Sequence, residues 1–339
     1  MINWLALFRL MLLTVAVLSW VHAQPAQATK AAKANAPNEG FWRTVFQRSE
    51  AGAASEEVDA ATSKKVKLGQ RLFNDTRLSG DRDMSCETCH DRALAFTDGM
   101  AQARGRNNTQ LQRNTPSLYN LASSTQFNWD ASASSLETQA IRPITHPNEM
   151  NGSFDTIANR LHEDPNTLQS FSDAFGSEDI SKDRVLDALA TYVRSLVSPR
   201  TRFDEWVEGD ADALGPTEKK GFKLFVGKAG CVSCHSGWRF TDDTLHDIGV
   251  VSDDPGNSAI VGGHPQIPSF KTPGLRELSK TAPYMHNGSI QTLEEVINHY
   301  TDGFIDRPSL SSSMRRDLDL TSAEKSALVD FLLSLSSAE

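Results

Sequence analysis

The pattern C-x-x-C-H occurs twice in this chain, as CETCH at Cys86–His90 and as CVSCH at Cys231–His235. These two motifs contain all 4 cysteines of the sequence. In this pattern two thiols bind the vinyl groups of a c-type haem as thioethers, and the histidine binds the iron. We therefore expect two covalent c-type haems, held by Cys86, Cys89 and His90 and by Cys231, Cys234 and His235.

Other uses of paired cysteines explain the two motifs less completely. A structural zinc site needs four protein ligands. Two cysteines with one directly adjacent histidine in each half do not match the ligand spacing of such sites. A redox-active dithiol accounts for each cysteine pair but not for the histidine directly after it.

The N-terminus indicates export from the cytoplasm. A single charge, Arg9, precedes an apolar run from Leu10 to Trp20, and small-residue cleavage sites follow at VHA and AQA. This is typical of a signal peptide over residues 1–23, because the run is short for a membrane span. An uncleaved anchor is the alternative. Thioether attachment of haem also takes place outside the cytoplasm, so both features predict the periplasm and no membrane span after cleavage.

An internal repeat predicts the architecture. LGQRLF at Leu68–Phe73 precedes the first motif, and KGFKLF at Lys220–Phe225 precedes the second. ALATYVRSL and ALVDFLLSL close the two halves, at Ala188–Leu196 and Ala327–Leu335. The sequence therefore predicts an all-α, loop-rich fold of two tandem cytochrome c-type domains, each with one haem. A leader segment at 24–61 precedes the domains: residues 24–40 are Ala- and Pro-rich and expected to be flexible, and residues 41–61 can pack on the body. The domains span 62–200 and 201–339.

Two haem domains are compatible with a non-catalytic electron carrier as well as with an enzyme. A carrier has both axial positions of each iron filled, whereas a catalyst leaves one open for substrate. The net charge of −9 and the absence of a Lys/Arg cluster argue against nucleic acid as a partner.

Between the motifs stand Trp129, Gln139, Pro143 and Glu149. In their order and spacing the chain resembles the bacterial dihaem cytochrome c peroxidase and MauG family, from about Leu68 to the C-terminus. The resemblance implies that hydrogen peroxide reacts at the first haem and that electrons arrive from the second through Trp129. A carboxylate can move the proton that O–O cleavage requires, which is the role expected of Glu149. Gln139 would orient peroxide or water through its amide, and Pro143 would line the pocket without coordinating iron.

The axial ligands separate the branches of the family. Peroxidases of the family carry a distal histidine shortly before the position of Asn114, and this chain has none there. The first haem is therefore expected to be open at rest, with His146 lining its pocket; coordination by His146 is the alternative. At the second haem the resemblance points to Tyr300, where peroxidases have methionine and MauG has tyrosine. Met285 and Met314 are alternatives.

The helical phase of the segment around Tyr300 agrees with Tyr300 as the ligand of the second iron. Thr292 and Glu295 form a capping box that begins a helix, and Gly303 can end it. At 100° per residue Tyr300 falls on the apolar stripe and His299 outside it, so Tyr300 is expected to point inward and His299 outward.

The resemblance also implies a calcium ion between the domains, bound by Asn114, Thr281 and Pro283 through neutral oxygens and water. His286 matches a recurring position of the family with no assigned role.

Three functions remain open from the sequence. The first is a peroxidase supplied with electrons by a small cytochrome c or cupredoxin. The second is a MauG-like enzyme that oxidises aromatic residues of a partner protein, which Tyr300 favours. Ala229 counts against it, because MauG carries a surface tryptophan at that position. The third is the non-catalytic dihaem carrier, which an open first haem disfavours.

Overall fold

A computed structural model describes residues 38–48, 60–261 and 267–338 of the chain. The predicted signal peptide lies outside these ranges. The helices in chain order are α1 (Glu39–Phe46), α2 (Ala60–Phe73), α3 (Leu136–Thr145), α4 (Phe154–His162), α5 (Pro165–Phe175), α6 (Lys182–Arg194), α7 (Arg202–Glu208), α8 (Pro216–Val226), α9 (Ser258–Val261), α10 (Leu293–Asn298) and α11 (Ser322–Leu333).

Short helical turns and a minimal sheet complete the described structure. Turns of 3₁₀-helix lie at Thr76–Leu78, Cys86–Thr88, Arg92–Leu94, Arg106–Asn108, Leu121–Ser123, Cys231–Ser233 and Leu278–Lys280, and a π-helical turn at His299–Gly303. Strands β1 (Leu245–His246) and β2 (Phe270–Lys271) pair antiparallel. The predicted all-α, loop-rich class is thus confirmed. None of the described helices has the length and apolar character needed to span a bilayer.

The chain divides into two compact units, Met1–Arg43 and Thr44–Glu339. In the first unit Arg43 Nη2 donates to Glu39 Oε1 at 3.0 Å. Every feature discussed below belongs to the second unit.

The same pair of packed helices occurs in each half. Helix α2 packs against α6, and α8 packs against α11. In each pair a glycine is in contact with the backbone of the other helix: a Cβ at Gly69 would lie 2.0 Å from the carbonyl oxygen of Ala188, and one at Gly221 would lie 1.9 Å from that of Ala327. The repeated sequence therefore has glycine where the two helices need the space of a missing side chain.

Gly69→Ala and Gly221→Ala are each expected to lower the free energy of unfolding by about 1–3 kcal/mol, because the added methyl would overlap a helix backbone that cannot move aside. Denaturant unfolding followed by circular dichroism measures the loss. Gly215→Ala is the control, since its Cβ would meet only the flexible end of Glu218, at 3.5 Å. Equal stability of all three variants would show that the helix pairs tolerate separation.

The core of the second half includes a residue from far upstream, Phe46. This side chain is 0% exposed. It stacks on Phe240 at 4.7 Å and meets other rings edge-on, those of Phe203, Phe222 and Phe225. Two residues later, Arg48 forms an ion pair with buried Asp204, with Nε 3.2 Å from Oδ1. Residues 44–48 belong to the part of the leader segment that can pack on the body, and burial of this aromatic surface holds them against the second half.

Candidate functional site

The histidines of both haem motifs have the same kind of hydrogen-bond partner, a main-chain carbonyl a few residues downstream. His90 Nδ1 lies 2.8 Å from Phe96 O, and His235 Nδ1 lies 2.8 Å from Phe240 O. Because Nδ1–H donates to the carbonyl, Nε2 of each ring becomes the nitrogen suited to bind a metal. Burial lowers the pKa of both imidazoles, which favours the neutral form that iron ligation requires.

The two phenylalanines that supply these carbonyls share an unusual backbone conformation. Phe96 has φ 63° and Phe240 has φ 58°, in the left-handed region that a bulky residue rarely adopts. Strain of this kind is retained where a site needs it, here to turn a carbonyl towards the histidine. Neither residue was predicted from the sequence. The available signal was the repeated FTD that follows each motif, at Phe96–Asp98 and Phe240–Asp242.

A cavity of about 930 Å³ is lined by both motifs and has the size of a cofactor pocket. One of its walls carries more positive than negative charge. Arg239 Nη2 and Lys271 Nζ both donate to Asp243, at 2.5 and 3.3 Å, and these three side chains are 12–16% exposed. Buried charge needs compensation, so this wall fits the carboxylates of haem. The two histidines and the cavity wall together suit the chain to hold haem.

Helix α3 places two of the predicted catalytic residues on the cavity wall. The helix begins at a cap in which Ser135 Oγ accepts from the N–H of Thr138 at 3.1 Å. One and two turns later, Gln139 and Pro143 line the cavity. The ring of Pro143 has no N–H, so it can form part of the wall without binding iron.

The loop after α3 returns to the helix end and holds Glu149. The N–H of Glu149 donates to His146 O, and that of Met150 donates to Pro143 O, both at 3.0 Å. A second loop fixes the neighbouring residue, since the N–H of Arg106 donates to Asn148 O at 3.0 Å. Glu149 lines the cavity that is also lined by the first motif.

The carboxyl of Glu149 lies in a partly buried environment. Burial raises its pKa, and the nearby side chains of His146 and Arg142 oppose that rise. Burial, followed by the charges of Asp98 and Glu149, raises the pKa of the Cys89 thiol to about 11. The effect of Glu149 on the pKa of this thiol shows that its carboxylate lies near the first haem motif. A carboxyl with a raised pKa is better matched to proton transfer near neutral pH than an ordinary glutamate.

His146 lines the cavity at the end of α3. Its Nδ1 accepts from the N–H of Asn148 at 3.2 Å, and the same atom lies 3.7 Å from Glu149 Oε1. An acceptor at Nδ1 places the ring proton on Nε2.

Trp129 is held on two sides. Its indole Nε1 donates to Asn114 O at 2.9 Å, and its own carbonyl accepts from the N–H of Lys271 at 2.7 Å. The preceding residue, Asn128, accepts from Gln139 Nε2 at 3.3 Å. Trp129 therefore bridges a loop of the first half and strand β2 of the second.

Tyr300 lies in the π-helical turn that follows α10 and lines the cavity. The predicted capping box is present, with the N–H of Thr292 donating to Glu295 Oε2 at 3.1 Å. Burial raises the pKa of the Tyr300 phenol, with further contributions from Cys231 and Cys234 of the second motif. The phenol therefore lies near the second haem motif.

The expectation that His299 points outward is wrong. This residue is 7% exposed, and its Nε2 lies 2.9 Å from Ile248 O. The helix changes from α to π at His299, so the 100° phase used to place its side chain no longer applies.

The residues expected to bind calcium are all found on the cavity wall. Asn114, Thr281 and Pro283 all line it. The Nδ2 of Asn114 donates to Met100 O at 2.8 Å, so Oδ1 is the side-chain atom that can serve a cation. Met285 and Met314, the alternative ligands of the second iron, also line the cavity.

Comparison with known proteins extends over both halves. The sequence model described as di-haem cytochrome c peroxidase matches residues 63–212, and the cytochrome c model matches residues 218–336. The methylamine utilization protein MauG of Methylorubrum extorquens is 43% identical over 314 residues, which cover 91% of this chain and 88% of that protein. Cytochrome-c peroxidase IdrP2 of Denitromonas iodatirespirans is 34% identical over 315 residues, with 84% of each chain covered.

A solved structure agrees with these relatives. A MauG-like protein associated with microbial copper homeostasis superposes with a TM-score of 0.74 and 31% identity, over 81% of this chain and 89% of that one. The matches support two haem cofactors and an oxidoreductase activity of the peroxidase type. The chain belongs to the di-haem cytochrome c peroxidase family, of which MauG is a member.

Proposed function

We propose that the protein is a periplasmic dihaem oxidoreductase that reacts with hydrogen peroxide at an open first haem and exchanges electrons through Trp129 with the second haem. One observation carries this proposal: Glu149, Gln139 and Pro143 line the same cavity as the first haem motif. The C-x-x-C-H pattern supports covalent attachment of both haems. The N-terminal sequence supports the periplasm.

Proton transfer is the part of the reaction that the protein itself supplies. When bound, the first haem supplies the iron at which the peroxide O–O bond is reduced. Glu149 takes a proton from one peroxide oxygen and returns it to the leaving oxygen, which the raised pKa of its carboxyl favours. Gln139 orients peroxide or water through its amide, while Pro143 excludes a competing polar group from the wall.

Electron exchange between the two sites depends on Trp129. Its indole is hydrogen-bonded to the first half and its backbone to the second. An oxidisable aromatic ring at this junction can pass electrons from the second haem to the first. A small cytochrome c or cupredoxin would supply those electrons from outside.

Tyr300 supports a second candidate function. We propose that this phenol, together with His235, would bind the iron of the second haem, as in the MauG branch. The activity would then include the oxidation of aromatic residues in a partner protein. Ala229, which carries no oxidisable side chain, counts against a route to a partner at that position.

We also propose a calcium ion bound by Asn114, Thr281 and Pro283. An amide oxygen and main-chain carbonyls suit this hard cation. The side-chain oxygen of Asn114 and the cavity position of all three residues support the assignment. Asn114 O also accepts the hydrogen bond from the indole of Trp129. Calcium bound at Asn114 would therefore order the loop that holds this tryptophan.

Rapid mixing of the oxidised protein with hydrogen peroxide tests the proposed function. We expect a change in the absorption of the haems and catalytic oxidation of a reduced small cytochrome c. A variant with Cys86→Ala and Cys89→Ala should retain one haem by mass and lose the peroxide reaction. A single haem in the unmutated mature protein, or an undiminished reaction in this variant, would contradict the proposal. Oxidised aromatic residues in a partner protein, without oxidation of cytochrome, would select the second candidate.

A further inference from the structure

Arg113 joins the two halves of the molecule next to Trp129. Its Nη1 donates to Asp130 Oδ2 at 2.5 Å. Its Nε and Nη2 donate to the two oxygens of Asp254, at 2.6 and 3.0 Å. The carboxylates are 6% and 9% exposed, and Arg113 is 23% exposed. One guanidinium thus connects an aspartate beside Trp129 to an aspartate of the second half.

Arg113, Asp130 and Asp254 all favour their charged forms. Burial alone would lower the pKa of Arg113, but its hydrogen bonds with Asp254 and Asp130 outweigh burial and raise it. The pKa values of both aspartates are lowered despite burial. A bidentate pair between charged groups is strong and directional, and a lysine cannot reproduce its planar geometry.

Ring contacts connect Arg113 to the loop that receives the indole hydrogen bond. The guanidinium lies 5.7 Å from the centre of the Phe270 ring. Phe270 stacks on His286 with ring centres 3.6 Å apart and 11° between planes. The carbonyl of His286 accepts from the N–H of Asn114 at 2.8 Å.

Both hydrogen bonds described above for Trp129 involve a neighbour of this group. Asn114, whose carbonyl accepts from the indole, directly follows Arg113. Lys271, whose N–H donates to the carbonyl of Trp129, directly follows Phe270. Asp130 directly follows Trp129, and its carbonyl accepts from Asn257 Nδ2 at 2.7 Å. A shift of Arg113 would therefore be transmitted to both sides of the tryptophan.

We propose that Arg113 is a positioning residue for Trp129, whose indole is held against Asn114 by the ion pairs of Arg113 with Asp130 and Asp254. The hydrogen bond of the indole is the direct consequence. A second consequence, which rests on the proposed function, is that these ion pairs set the rate of electron exchange between the haems.

Arg113→Lys tests the proposal, because it keeps the charge and removes the bidentate geometry. The matched control is Arg77→Lys in the first half. Arg77 also connects two aspartates, binding Asp75 with Nε at 2.9 and 3.0 Å and lying 3.5 Å from Asp164, and it is 28% exposed. We expect both variants to lower Tm by similar amounts. The control thereby separates positioning from a general loss of stability.

The first readout is the indole hydrogen bond of Trp129, measured by ultraviolet resonance Raman spectroscopy as a difference against Trp129→Phe. We expect the bond to weaken in Arg113→Lys and to stay unchanged in Arg77→Lys. An unchanged indole signal in Arg113→Lys, or the same weakening in both variants, would overturn the proposal.

The second readout follows both haems separately after rapid mixing with hydrogen peroxide. We expect Arg113→Lys to leave the rate at the first haem unchanged and to delay the response of the second by roughly tenfold or more, since small displacements of a positioned group have large effects on rate. If Trp129→Phe causes no delay, the proposed relay fails, while the Raman result still decides the role of Arg113. A weakened indole bond without any delay in Arg113→Lys would overturn the electron-exchange consequence.

Discussion

Glu149→Gln is expected to slow the reaction with hydrogen peroxide by about a hundred- to ten-thousandfold, the range typical for loss of a general acid–base group. Glutamine keeps the size of the side chain but cannot take and return a proton. Both haems should remain attached, because the change leaves the haem motifs and the backbone hydrogen bonds of the loop intact.

Rapid mixing over a range of pH measures this effect and identifies the group. Burial raises the pKa of Glu149, so its carboxylate form, which takes the first proton, is present above that raised pKa and is lost as the pH falls through it. We expect the rate to decline on the acid side at a higher pH than an ordinary glutamate would give. Glu163→Gln, a change at an exposed carboxylate outside the cavity, is the control. Equal kinetics in Glu149→Gln and the unmutated protein would remove Glu149 from the mechanism.

Replacing Tyr300 is expected to change the second haem strongly without touching Cys231, Cys234 or His235 of its motif. A phenolate oxygen stabilises the higher charge of the iron, whereas a thioether favours the lower one. Tyr300→Met should therefore raise the reduction potential of the second haem and leave peroxide binding at the first haem intact. Tyr300→Phe removes the ligand and should convert the second haem from low spin to high spin.

Potentiometric titration of both haems, followed by absorption, measures these changes. Tyr284→Phe is the control, because the Tyr284 hydroxyl donates to Leu278 O at 3.0 Å within the same half. If Tyr300→Phe leaves the low-spin spectrum and both potentials unchanged, Tyr300 is not a ligand, and Met285 or Met314 takes its place as the candidate.

Local sequence patterns were sufficient to predict the helical repeat of the two halves. The spacing of C-x-x-C-H sets the first turn of each motif, in which the N–H of His90 donates to Cys86 O at 2.9 Å. The grouping of Gln139, Pro143 and Glu149 was predicted from the resemblance to the family, and all three line one cavity.

Features that depend on long-range contacts or on changes of backbone geometry could not be predicted in this way. Phe46 is buried by rings that are far away in the chain. Ideal helical phase misplaced His299, because a π-turn cannot be recognised from apolar periodicity. Nothing local to Arg113 indicates Asp254, which lies in the other half. Phe96 and Phe240 could be predicted in part. The repeated FTD is visible in the sequence, but the left-handed backbone conformation of the two phenylalanines is not.

The central claim is a division of roles, with an open iron at the first haem and a Tyr300-bound iron at the second. Electron paramagnetic resonance of the oxidised protein at rest tests it most directly. The absence of a distal histidine before Asn114, together with Tyr300 at the second site, predicts one high-spin and one low-spin ferric signal without prior reduction. Two low-spin signals would contradict the claim and identify His146 as the ligand that closes the first iron.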